Sequence, residues 1–194
     1  MSIKEQLQYF RRLRSYFLTS VVLLGLGVLA GVTIIAYYTG VAQQLENELS
    51  GFVKIFRELP KLQLFTAIFL NNALKTFIVI IFGMFFGLIP VLFLLVNGAA
   101  VGVAITAATQ SRGLWESLLA ILPHGVLELP AVLLGTSIGL MIGGHSMRRI
   151  FGTAETTLGT ELGRALKFFV AVIIPLLILA ALVEAFITPV VAGI

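Results

Sequence analysis

Cysteine is missing from the 194 residues, which excludes a disulfide framework and any thiolate metal site. Histidine is scarce, with two residues against nine acidic ones, so metal ligands are in thin supply. Neither a metal nor another cofactor is expected. Charge of either sign is short as well. Asp, Glu, Lys and Arg make up 11% of the chain, against about 25% in a soluble domain, and an ordinary soluble fold is excluded on that ground. The recurrent signatures of chemistry are also lacking: there is no Gly-x-Ser-x-Gly elbow, no glycine-rich phosphate loop and no His-Glu-x-x-His pair. His124 and Glu128 form His-x-x-x-Glu, short of the three protein ligands a catalytic zinc requires. No catalytic residue is assigned and an enzyme is not expected; an intramembrane hydrolase is the outlying alternative.

What is present is apolar. Hydrophobic residues make up 59% of the chain and the mean hydropathy is +1.07. The pattern predicts an all-α polytopic membrane bundle, a single domain over residues 1–194 with about five spans. The net charge of +4 does not imply nucleic acid, since basic loops on the cytoplasmic side account for it. The bilayer is the expected partner.

Lys4, Arg11, Arg12 and Arg14 precede the uncharged stretch Phe17–Tyr38, ~33 Å long as a helix and enough to cross a bilayer. That run is too long for a cleaved signal peptide and ends in no short small-residue cleavage site. Residues 45–61 mix charges of both signs with apolar residues at helical spacing. They read as an amphipathic helix on the outer surface, or as a connector packed on the protein. Thr76–Ser111 carries no charge and, at ~54 Å, is too long for one span and slightly short for two. Asn97-Gly98 is its best turn signal. The expectation is a second span over 76–96 and a short third helix over 98–110, crossing with little to spare or re-entrant. Residues 114–143 form the fourth span, kinked near Pro123, and 168–189 the fifth. The basic stretch 144–167 should be cytoplasmic, as should the N-terminus, which puts the C-terminus outside.

Polar residues inside apolar runs are the candidate site. His124 and Glu128 share a helix face, with His124 expected near the midplane. They either handle a proton or cation or lock a kinked helix through a hydrogen bond. Asn71, Asn72 and Lys75 stand where the second span is expected to begin. Lys75 reads as an interfacial snorkel or a site residue, and the asparagines need partners if buried. Asn97 is turn chemistry or a further site residue. Small residues recur at four-residue spacing: Gly83 and Gly87, Gly98 and Gly102, then Ala131, Gly135, Gly139 and Gly143. Such stripes admit close helix contact. With Gly27 and Gly31 they exceed what one copy obviously needs, which points to a homo-oligomer, a dimer first.

Asn71-Asn72, Gly83 with Gly87, Asn97-Gly98 with Gly102, and above all Pro123-His124-Gly125 with Glu128 resemble the stage II sporulation protein M family, over roughly residues 65–145. The resemblance implies a multipass membrane protein. In endospore formers it further implies a non-enzymatic anchor or scaffold for peptidoglycan-degrading partners, and it supplies no catalytic residues. Two functions follow as expectations. The first is a membrane scaffold that recruits a second copy or other membrane or cell-envelope proteins. The alternative is an oligomeric transporter or channel for a small solute, ion or lipid, lined by His124, Glu128 and the asparagines.

Overall fold

The computed structural model describes residues 3–37 and 59–187, with the backbone alone for residues 3, 111–112 and 114–127. These residues form helices, and among them there is no strand. Helix α1 is Ile3–Tyr37, α2 is Lys61–Phe82, α3 is Leu88–Arg112 and α4 is Leu114–Ile150. The last rod comprises α5, Leu158–Phe168, a π turn at Phe169–Ile173, α6 at Ile174–Leu182 and a final π turn at Val183–Ile187. Among the described residues five helices are long and apolar enough to cross a membrane, so the all-α membrane bundle stands. The amphipathic segment expected at 45–61 lies almost wholly outside the described residues.

Helix α4 is the central post. From Leu133 to Ser146 it is buried nearly all round, whereas α1 buries one stripe: Tyr9, Leu13, Ser20, Gly27, Gly31 and Ile35. Those positions recur every four or seven residues, the spacing of a single helical face. Helix α4 runs through Pro123 and Pro130 without a break.

Two seams of small residues fix the neighbours. In the first, α1 and α3 run parallel: Gly27 sits against Leu95 and Gly98, Gly31 against Ala99, and Val28 against Gly102. A Cβ on Gly27 would stand 2.5 Å from the Leu95 carbonyl oxygen, and one on Gly98 3.0 Å from the Gly27 Cα. In the second, α2 and α4 run parallel, with Thr76 against Gly135, Val79 and Gly83 against Gly139, and Gly87 against Gly143. Small side chains let the backbones meet, and dispersion contacts replace the hydrophobic drive that lipid cannot supply.

The break in the long uncharged stretch falls at Gly83–Gly87, not at Asn97-Gly98, so the second and third spans are shifted from 76–96 and 98–110. Phe86 and Gly87 both take left-handed backbone, φ 55° and 76°, a conformation glycine adopts at little cost. Pro90 then occupies the first turn of α3, where its missing N–H leaves no bond unmade. Asn97 does not turn the chain, because its amide donates to the Phe93 carbonyl of its own helix at 2.7 Å. Gly98 is needed for the α1 contact. Helix α3 therefore runs 25 residues, about 37 Å, which is neither short nor re-entrant.

At the last rod, the π turn absorbs Pro175. The Ile174 N–H donates to the Phe169 carbonyl, a wider register than the α-helix, and Pro175 enters as α6 begins.

Candidate functional site

Lys61, at the start of α2, lies over the ring of Phe186 at 6.0 Å, so the second helix begins where the last one ends. At the opposite end α1, α4 and α5 converge on one buried carboxylate, Glu161. Its residue is 2% exposed, on the face of α5 that also buries Ala165 and Phe168. Thr157 caps this helix by accepting from the Thr160 N–H at 3.2 Å. That cap sets Glu161 in the first turn, where the helix dipole favours negative charge. Arg12 of α1 donates through Nη2 to Oε2 at 3.1 Å, and Arg164 donates through Nη1 to Oε1 at 2.7 Å. Thr156 adds a hydroxyl bond to Oε1 at 3.0 Å. A carboxylate so buried stays ionised only with such charge-assisted partners.

Beneath this pair the Arg12 guanidinium lies 6.0 Å from the Tyr9 ring, and Tyr9 packs on Phe168 with centroids 5.0 Å apart. Beside it opens a recess of about 480 Å³. Arg12 and Arg164 line one side and His145 and Arg148 of α4 another, with Thr153, Glu155 and Thr156 of the connecting segment closing the rim. The end holds more polar atoms than it satisfies internally: Tyr9 Oη, His145 Nε2 and Ser146 Oγ are buried without a hydrogen-bond partner.

The residues marked in the sequence are dispersed. The side chain of His124 lies outside the described residues. Glu128 is half-buried and does not lack a partner. It stands 16 residues before Gly144, whose Cβ would meet the Tyr16 hydroxyl at 3.1 Å, and so about 24 Å along the helix from the basic end. Asn72 is buried, while Asn71 and Lys75 are exposed; the Asn71 amide reaches Asn72 at 3.4 Å. Four-residue spacing suggests a single helix face for Asn71, Lys75, Val79, Gly83 and Gly87, but the first two are exposed and the last three buried. Every four-residue step turns a helix by about 40° beyond a full rotation, so the row drifts from the outer surface at 71 and 75 to the α4 seam at 79 and 83. Lys75 is also not at the start of its span, which begins at Lys61.

Nearer the bundle centre, hydroxyls meet instead. Ser20 Oγ lies 3.2 Å from Ser137 Oγ and 3.4 Å from Thr136 Oγ1. Thr136 also donates to the Val132 and Leu133 carbonyls, and Ser137 donates to that of Leu133. This cluster pins α1 to α4, a contact of about 0.6 kcal/mol by the average for membrane helices.

In the sequence, Arg12 and the basic stretch that carries His145, Arg148, Glu161 and Arg164 read as topology signals only. One clue to the cluster was available. Leu158, Glu161, Leu162, Ala165 and Phe168 follow helical spacing, so Glu161 falls within an apolar stripe and requires a partner.

Residues 20–189 match a protein-family model described as Stage II sporulation protein M. No curated protein and no solved structure matches the chain.

Proposed function

Because the chain belongs to the stage II sporulation protein M family, we propose that this membrane protein is a non-enzymatic scaffold, a complex-forming component of the cell envelope. The observation that carries this reading is the outward pair Asn71 and Lys75, one turn apart on α2 and both exposed. Ionisable residues within spans normally face a bundle interior or a water-filled cavity. Lys75 stands eight residues before Gly83, about 12 Å from the turn, farther than its four-carbon stem reaches. A partner helix covering this face would remove the cost of leaving the ammonium in lipid.

The small-residue stripes no longer argue for a second copy, since they pack against one another within one chain. A two-fold dimer through α2 would also bring two ammonium groups together. A membrane or envelope protein offering a carboxylate is therefore the better occupant, and a homodimer is the other outcome the experiment separates. Transport gains no support, because Asn71 is exposed on the outer surface while Asn72 is buried, so the two asparagines do not both line an interior path. The basic end is assigned to the cytoplasm, with the C-terminus outside. The Arg12–Glu161 contact supports this by bringing both basic segments to one end, as the positive-inside rule requires.

The test is crosslinking in native membranes followed by purification of the full chain. A partner should be retained by the native protein and largely lost from Lys75→Leu, while Leu74→Ala, on the same outer surface, keeps it. A native protein that purifies as a lone monomer after crosslinking, or a complex unchanged in Lys75→Leu, would sink the scaffold reading.

A further inference from the structure

The recess at the basic end is built for an anion, and the geometry points to a phosphoryl group as its ligand. Glu161 holds Arg12 and Arg164 by one terminal nitrogen each. A guanidinium carries five N–H donors in a fixed fork, so most of those on both arginines are left over. Their side chains are 45% and 46% exposed, whereas the carboxylate that spaces them is buried. The donors are thus held apart by a fixed post. Arg148, which forms no ion pair among the described residues, adds a third guanidinium to the lining, whereas the Thr153 and Thr156 hydroxyls already donate to the Arg148 carbonyl and to Glu161.

A second observation is independent of these charges. His145 lines the same recess, is 4% exposed, and keeps Nε2 buried without a partner. An imidazole nitrogen left unbonded in a buried site is costly, and a ligand oxygen would satisfy it. The lining carries three arginines against Glu155 and Glu161, and Glu161 is already committed. A tetrahedral anion with several oxygens can bridge two or three guanidinium forks at once, which a single halide cannot. A volume of about 480 Å³ also leaves room for whatever the phosphoryl group is attached to.

That attachment has two sources. The recess sits where the uncharged parts of α1 and the last rod begin, at headgroup depth, and Ile150 and Phe151 beside it are 65% and 71% exposed. A phospholipid headgroup fits this setting, and so does a soluble phosphate monoester arriving from the aqueous side. The recess would hold its anion whether or not α2 recruits a partner.

The full chain is purified in a neutral detergent and titrated with inorganic phosphate and with glycerol 3-phosphate. It is then reconstituted into nanodiscs of phosphatidylcholine alone, or of equal parts phosphatidylcholine and phosphatidylglycerol, and its thermal stability is compared. Saturable binding of either soluble probe assigns the site to phosphate esters in solution. Stabilisation by phosphatidylglycerol without soluble binding assigns it to a lipid headgroup. In either case Arg148→Ala should weaken the effect about tenfold, Glu155→Gln should strengthen it, and Arg11→Ala, outside the recess, should leave it unchanged. Arg148 and Glu155 are exposed, so both variants should fold. No saturation by any probe, or an equal loss in Arg11→Ala and Arg148→Ala, would overturn the assignment and leave only general surface charge.

Discussion

Arg12→Ala combined with Arg164→Ala is expected to cost the bundle about 3–5 kcal/mol, more than Glu161→Ala, which removes the residue that both arginines contact. The asymmetry follows from burial. Glu161 has a side chain 3% exposed, against 45% and 46% for the two arginines. Without the arginines, a carboxylate is left in the protein interior with a single threonine hydroxyl. Without the carboxylate, two half-solvated guanidiniums turn toward water, at a loss of about 2 kcal/mol for the bonds themselves. Denaturant unfolding of the purified chain in detergent, monitored by helix content, measures both. If Glu161→Ala proves the costlier change, the carboxylate is not the buried member of this network.

Substituting alanine for both Gly31 and Gly102 should open the seam between α1 and α3. A Cβ on Gly31 would run into the Ala99 carbonyl, and one on Gly102 into that of Val28. Because the obstacles are backbone, no side-chain rotation relieves them and the helices must separate. Overpacking of this kind costs about 1–3 kcal/mol per site, with less than full additivity because the two sites share one seam. Gly83→Ala with Gly143→Ala should behave alike at the α2–α4 contact. Gly25 has nothing within 4 Å of its would-be Cβ, so Gly25→Ala should be neutral or slightly stabilising through helix propensity. Thermal unfolding in detergent separates the cases. Equal midpoints for the seam variants and Gly25→Ala would show that the backbones do not meet there.

Much of the architecture could be read from the chain because lipid imposes a plain rule: long uncharged runs become helices, and charges collect at their ends. The uncharged run from Phe17 followed that rule as far as Tyr37, and so did the basic segments around Arg12 and Arg164. Lys75 broke it. A lysine facing outward within a span looked like the end of one, which displaced the second helix by more than a dozen residues. The glycines were legible as contact points but not as pairs. Gly98 served a neighbouring helix and Gly87 served a turn, yet nothing in four-residue spacing distinguishes those uses. The cluster at Glu161 joins residues 149 positions apart, and only the buried stripe of α5 hinted that a partner existed.

That separation in sequence also orders how the protein is made. The ribosome delivers α1 well before α5, and the segment bearing Glu161 emerges only after α1 to α4. Until then Arg12 has no counter-charge, and the Tyr9 ring lacks the Phe168 surface that covers it. Closure of the bundle therefore waits for α5, and a chain terminated before residue 158 would keep its first helix tethered by the seam with α3 and by Ser20 on α4, with its basic foot unlatched.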